Sequence, residues 1–205
     1  MPSRNVLKID VSDSYYHIYA RGGSRHNIFL EPADYQYFLE LLRRYLSPED
    51  IRNNAGISYA KLDNDIELLA YCLMRNHFHL LVYQVNNGGM QRLMRGVMTA
   101  YSRYFNTKYR QSGSLFESRY KASRITTDEY LMHISRYIHL NPTRWREYPY
   151  SSLQYYLRQS EIDWLQEERI LDLFCLRQAY AEFVEDYEAV KESLALIKDE
   201  LAGED

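Results

Sequence analysis

Hydrophobic and polar positions recur along the 205 residues in an order that predicts most of the secondary structure. Ser14–Ala20 (SYYHIYA) is aromatic and β-branched, as a strand requires, and Arg21-Gly22-Gly23 ends it. Pro32 and Asp34 open a helix through Tyr45, with Tyr35, Phe38, Leu39, Leu41 and Leu42 on its apolar side. Ser47–Ala55 is polar and turn-like. Ile66–Leu73 predicts a buried strand, Met74-Arg75-Asn76 a turn, and His77–Val85 the hairpin partner. Asn86-Asn87-Gly88-Gly89 breaks the chain before a helix over Met90–Asn106. Its apolar residues, Met90, Leu93, Met94, Val97, Met98, Tyr101, Tyr104 and Phe105, recur at three and four. Ser112-Gly113 is a second break, and Ser114–Ser123 predicts a strand. Thr126–Leu140 is the best-marked helix: Thr126 and Glu129 have capping-box spacing, and Pro142 stops it. Beyond Tyr148-Pro149-Tyr150-Ser151-Ser152 the chain is helical and acidic to its end. Strand, helix, hairpin, helix, strand predicts an α+β fold, a ferredoxin-like antiparallel sheet with helices on one face. Residues 1–150 form this unit, and 151–205 form a mostly helical, acidic C-terminal extension.

Composition narrows the class. Hydrophobic residues at 46% and charged residues at 26% are ordinary for a globular protein. No apolar run approaches the roughly 18 residues that span a bilayer. The N-terminal MPSRNVLKID has neither the apolar core nor the small-residue cleavage site of a secretory signal. Cys72 and Cys175 lie far apart, which excludes a disulfide scaffold and a cysteine zinc site and suits a reducing, cytoplasmic setting. Tyrosines number 21 against 7 phenylalanines, which leaves core packing, base stacking and a nucleophile all open.

Charge is divided along the chain. Residues 1–160 hold 21 Lys+Arg against 14 Asp+Glu, a net of +7, whereas 161–205 hold 4 against 14, a net of −10. Residues 92–146 alone carry 11 basic and 3 acidic side chains, interleaved with Tyr101, Tyr104, Phe105, Tyr109, Phe116 and Tyr120. Cations that neutralise phosphates and rings that stack on bases are the ingredients of a nucleic-acid surface. Arg92, Arg95, Arg103, Arg119, Lys121 and Arg124 are the candidates for it. A solvated basic face is the competing reading.

Two short segments carry chemistry. His77 and His79 are i and i+2 on a strand, so their imidazoles project from one face. Such a pair offers two metal-coordination positions, although half-buried histidines bonded to neighbours are common. Tyr137 and Asn141 are i and i+4 on a helix, with His133 one turn earlier and Ile134 and Ile138 packing beside them. A tyrosine hydroxyl can attack a phosphodiester, and a divalent cation can absorb the charge that develops. Arg136 and Lys121 are neighbouring cations that would favour the phenolate.

At these residues the chain resembles a known family. Met74-Arg75-Asn76-His77-Phe78-His79-Leu80-Leu81, with its His-hydrophobic-His motif, and Tyr137-Ile138-His139-Leu140-Asn141-Pro142 look like the single-tyrosine HUH transposases, specifically the bacterial REP-associated tyrosine transposases. Further matches are Tyr16-His17-Ile18 near Arg21-Gly22, the segment Gly113–Lys121, and Tyr148–Ser152, so that about residues 12–155 are covered. The resemblance implies a metal-dependent single-stranded DNA endonuclease and strand transferase. It would act beside DNA hairpins through a 5′-phosphotyrosine and leave a free 3′ hydroxyl. Tyr137 would be the nucleophile, and His77, His79 and Asn141 the ligands of Mg²⁺ or Mn²⁺. Related enzymes often carry Gln or Glu at the last position, and Asn is shorter and neutral. The partner would be single-stranded or hairpin DNA, and a monomer is expected over a homodimer. Two other readings stand beside this one: a non-catalytic DNA- or RNA-hairpin-binding module with the same fold, and an unrelated metal hydrolase built on His77 and His79.

Overall fold

The computed structural model describes residues 10–52, 55–157, 162–174 and 176–186. Cys175 and the acidic tail beyond Asp186 lie outside them. The element order is β1 (Ser14–Arg21), α1 (Pro32–Leu46), β2 (Ile66–Met74), β3 (His77–Gln84), α2 (Gly89–Tyr109), β4 (Lys121–Ile125) and α3 (Asp128–His139). Three short helices follow: α4 (Leu153–Leu157), α5 (Glu168–Leu171) and α6 (Arg177–Glu185). The four strands form one sheet in the order β2-β3-β1-β4, with every neighbouring pair antiparallel. This is the ferredoxin-like α+β arrangement that the sequence predicts, except that helices cover both faces of the sheet rather than one, because the strands are apolar on both sides. Among the described residues no helix is long and apolar enough to cross a membrane.

Strand alternation separates two cores. Tyr16, Ile18 and Ala20 of β1 and Phe78, Leu80 and Val82 of β3 pack under the crossover helices α1 and α2. The intervening residues face the other way. There Tyr19 and Leu81 meet Leu131, Ile134, Tyr137 and Ile138 of α3 and the helices of the C-terminal extension. The two crossover helices thus share one face, and α3 with the extension covers the second. A bulge keeps β2 in step with both cores. Leu68 pairs with Val82 and Ala70 with Leu81, which leaves Leu69 as the extra residue.

Tyr150 and the extension that follows it close the open edge of β2. Leu73 N donates to Tyr150 O at 2.9 Å and Ser152 N to Tyr71 O at 3.0 Å. Further along, Gln166 N donates to Leu68 O at 2.8 Å. Unpaired strand edges invite pairing with other chains, and these contacts remove that edge. Buried polar bonds fasten the same segment to α3: His139 Nδ1 lies 2.7 Å from Tyr180 Oη, and His139 Nε2 lies 2.8 Å from Ser152 Oγ.

Two details depart from the sequence reading. The strand expected over Ser114–Ser123 is confined to Lys121–Ile125. Before it the chain makes an isolated bridge from Phe116 to Gly22, whose own backbone is passed so closely by His26 O that a Cβ there would collide with it. The cap of α3 is Thr127 rather than Thr126: its side chain accepts from Tyr130 N, so the expected Thr126–Glu129 capping box does not form.

The two crossover helices are joined through Asp34, a fully buried carboxylate. It accepts from the Leu30 and Glu31 backbone N–H groups at 2.8 and 3.1 Å. Lys108 Nζ, Tyr109 Oη and Tyr104 Oη reach it from α2 at 2.6, 2.8 and 3.1 Å. Burial raises its pKa, but these donors together outweigh burial and hold it below the ordinary carboxylate value. A depressed folded-state pKa stabilises the protein above the unfolded value, and that contribution fades as pH falls through the folded one. Asp34→Asn is therefore expected to cost about 2–4 kcal/mol at pH 7. The gap from wild type should narrow below pH 4. Urea unfolding at both pH values measures it, and a gap that widens in acid would contradict this account.

Candidate active site

Parity along β1 and β3 places His17, Tyr19, His77 and His79 on the face that α3 covers. The antiparallel register sets Tyr19 opposite His79 and Arg21 opposite His77. His17 therefore sits diagonally beside His79, with ring centroids 5.0 Å apart and nearly parallel. The His77 and His79 rings are also 5.0 Å apart, edge to face. Both candidate ligand histidines thus share one face of the sheet. Over them lies Tyr137, whose ring centroid stands 5.4 Å from His79 and 6.0 Å from His17. Asn141 follows the end of α3, where its N–H donates to Ile138 O at 3.4 Å, and its Oδ1 lies 3.3 Å from His77 Nε2. His77, His79, Tyr137 and Asn141, distant in sequence, form one cluster.

Burial dominates the electrostatics. It holds the His17 imidazole down at about 3 and His79 well below its ordinary value, with the His77, His17 and Arg21 charges adding to the effect on His79. His77 is lowered to about 4 by burial and then by Arg21, against an opposing bond from Asn141. All three rings are therefore neutral near pH 7. Burial holds the Tyr137 phenol above its ordinary value, and the Arg21 guanidinium and the Asn141 amide offset that only in part.

Hydrogen bonding then fixes which nitrogen of His77 is bare. Asn76 Nδ2 donates to Arg25 O at 3.4 Å, so Asn76 Oδ1 is the acceptor that meets His77 Nδ1 at 2.7 Å. A neutral imidazole has one N–H, and this short bond uses it. Nε2 consequently presents a lone pair towards the Oδ1 of Asn141, 3.3 Å away. Two lone pairs that converge require a proton, a turned amide or a cation. Two ligands bonded to one ion at about 2.0–2.2 Å lie roughly 3.0–3.4 Å apart, which this spacing matches. The donor set, imidazole nitrogen with amide oxygen, suits a divalent cation of intermediate character. Among the described residues no group of three His, Cys, Asp or Glu side chains is placed to hold a metal ion. The fit rests on two histidines and an amide.

Other sequence candidates lie elsewhere. His133 does not join the cluster; its Nδ1 accepts from Arg136 Nη2 at 2.8 Å. Arg136 turns from Tyr137 to stack 3.9 Å over the Phe183 ring. Lys121 lies 5.9 Å over the Tyr19 ring, and the cation acting on Tyr137 is Arg21. The six basic candidates do not form a single patch. Arg92, Arg95 and Arg103 are exposed on α2, across the sheet from the histidines, and Arg92 pairs with Asp65 at 2.9 Å. Lys121 is half-buried on the histidine face, Arg119 is exposed just before β4, and Arg124, which pairs with Tyr16, is exposed on the opposite face of β4.

His17, Arg21 and Asn76 belong to the site although residue chemistry alone did not single them out. Alternation puts His17 and Arg21 on one face of β1, but only the pairing with β3 reveals which residues they meet.

The IS200-like transposase family model matches residues 10–141, a span that ends on Asn141 and contains every residue of the cluster. Among solved structures, the REP-associated tyrosine transposase bound to a REP hairpin is 13% identical, with a TM-score of 0.56, covering 80% of this chain and 92% of that one. A protein of Deinococcus radiodurans R1 assigned to the transposases is 16% identical, with a TM-score of 0.40, covering 67% and 95%. No curated protein matches the chain. With the family match running from before β1 through the end of α3, and with its ferredoxin-like sheet matched by a tyrosine transposase, this chain belongs to the IS200-like transposase family of DNA-processing enzymes.

Proposed function

We propose that the protein is a metal-dependent, single-tyrosine DNA strand transferase that cleaves single-stranded DNA beside a hairpin. The observation that carries this reading is the convergence of Tyr137, His79, His77 and Asn141 on one sheet face, with Tyr137 5.4 Å from the His79 ring and Asn141 3.3 Å from His77. Tyr137 is the nucleophile. His77, His79 and Asn141 would hold the divalent cation, Mg²⁺ or Mn²⁺, which when bound supplies charge stabilisation at the scissile phosphate.

The Tyr137 oxygen attacks phosphorus as the phenolate. A Tyr Oη–P bond forms, the P–O3′ bond breaks, and the departing 3′ oxygen takes up a proton. The 5′ phosphate stays on the enzyme, so a 3′ hydroxyl can later reverse the step without ATP. Arg21 lowers the phenol's proton affinity and supplies positive charge beside the reacting phosphate. The neutral rings of His77 and His79 leave their nitrogens available as donors. No carboxylate among the described residues bonds to the cluster, which disfavours the metal-hydrolase reading. Action as a monomer is part of the proposal, with Tyr137 lying over histidines of its own chain.

The deciding experiment uses end-labelled single-stranded hairpin DNA with Mg²⁺ or Mn²⁺. A labelled protein band that survives denaturing electrophoresis is the expected result. Hairpin binding without such a band would instead leave a non-catalytic binding module.

The DNA is proposed to contact cations on the histidine side, Arg21 and Lys121, and the neighbouring Arg119, with Arg124 on the opposite face of β4 beyond them. Arg92, Arg95 and Arg103 would extend that path around α2. Affinity should fall steeply with salt, and each phosphate-contacting cation replaced by alanine should reduce the log–log slope by about one. Measured by anisotropy, an unchanged slope in Arg92→Ala, Arg95→Ala and Arg103→Ala would restrict the DNA to the histidine side.

A further inference from the structure

His17 is a polar residue that the reaction above leaves without a task. It lies on β1, 1% exposed, and its Nε2 stands 2.9 Å from His79 Nδ1. Its other nitrogen, Nδ1, is buried and has no hydrogen-bond partner. A buried nitrogen without a partner is destabilising, and a phenyl ring would fill similar space without it. Packing therefore does not account for an imidazole here. What the imidazole adds is a single polar contact, made through Nε2 to His79.

We infer that His17 is a positioning residue whose Nε2 accepts the Nδ1–H of His79, fixing the tautomer in which His79 Nε2 is bare and free to bind a divalent cation. The inference rests on the proposed role of His79 as a ligand. A neutral imidazole has one proton; with that proton held at Nδ1, Nε2 carries none. In the opposite pairing His17 Nε2–H donates, and His79 Nε2 bears the hydrogen and coordinates nothing. Accepting at Nε2 instead leaves His17 with an unpaired Nδ1–H, a cost that cation binding at His79 would offset. Asn76 makes the matching contact to His77, meeting its Nδ1 at 2.7 Å. Both candidate ligand rings are thus tied back through Nδ1 and offer Nε2. Outer partners of this kind set ring orientation and raise ligand basicity.

Calorimetric titration of the metal-free full-length protein with Mn²⁺ tests the inference. Wild type should bind one ion, and His79→Ala should lose it. His17→Phe, which keeps a ring but no acceptor, should weaken binding by about 10–100-fold. His17→Gln, whose Oε1 can accept the same N–H, should recover most of that loss. Wild-type affinity in His17→Phe would overturn the inference and leave His17 a packing residue. Wild-type affinity in His79→Ala, or no uptake by wild type, would overturn the metal site itself, and the inference with it. A second measurement is independent of how the variants fold. Long-range ¹H–¹⁵N spectra of wild type with Mg²⁺ should place the His79 proton on Nδ1, and a proton on Nε2 would overturn the assignment.

Discussion

Tyr137→Phe is expected to abolish the covalent protein–DNA adduct and to lower strand cleavage by on the order of 10⁴-fold or more, because loss of a covalent nucleophile removes the reaction path itself. The substitution removes one oxygen from a ring that stays packed against His79 and His17. Folding should change by less than about 1 kcal/mol, and hairpin affinity should survive. Tyr101, Tyr104 and Tyr120 provide the controls. Tyr101 Oη donates to Ile28 O at 2.6 Å and Tyr104 Oη to Asp34, both in the core beneath α1 and α2, on the opposite side of the sheet from Tyr137. Their Phe variants, and that of Tyr120, should retain the adduct, although Tyr101→Phe should lose about 1 kcal/mol of stability. Labelled-DNA gels and peptide mapping of the adduct decide the matter. Attachment to any tyrosine other than Tyr137 would refute the assignment.

The second large effect concerns the ligand histidines. His77→Ala combined with His79→Ala should eliminate measurable Mn²⁺ binding and the adduct together, while hairpin binding persists. A chelator should reproduce the loss of cleavage in wild type, and added Mn²⁺ or Mg²⁺ should reverse it. The double variant also leaves His17 Nε2 without its partner, a cost of about 1–3 kcal/mol, so circular dichroism must accompany the assay. His77→Ala alone avoids that cost, because His77 bonds to the half-exposed Asn76 and Asn141 and not to the buried pair. Cleavage at the wild-type rate in His77→Ala would remove His77 from the ligand set.

Much of the molecule is legible in the chain itself, because its signals are local. The 3.6-residue recurrence from Met90 to Phe105 specifies α2 whatever surrounds it, and period-two alternation puts His77 and His79 on one side of β3 before any partner strand is known. Four-residue spacing likewise brings Tyr137 and Asn141 to one end of α3. The strand before Lys121 and the cap of α3 were less legible. Tyr120 and Phe116 read as strand residues, but they turn into the core beside Gly22, and two adjacent threonines compete for one cap.

The sequence by itself therefore determined the elements, the ferredoxin-like order of strands and helices, and the residue types that carry the chemistry. Tertiary structure alone decided that α3 lies over the face bearing His77 and His79, that Arg21 rather than Arg136 or Lys121 acts on Tyr137, and that His17 meets His79. The reason is physical. Periodicity fixes a side chain's direction relative to its own backbone, whereas strand register and helix docking, set by burial in two separate cores, fix which side chains from distant segments meet.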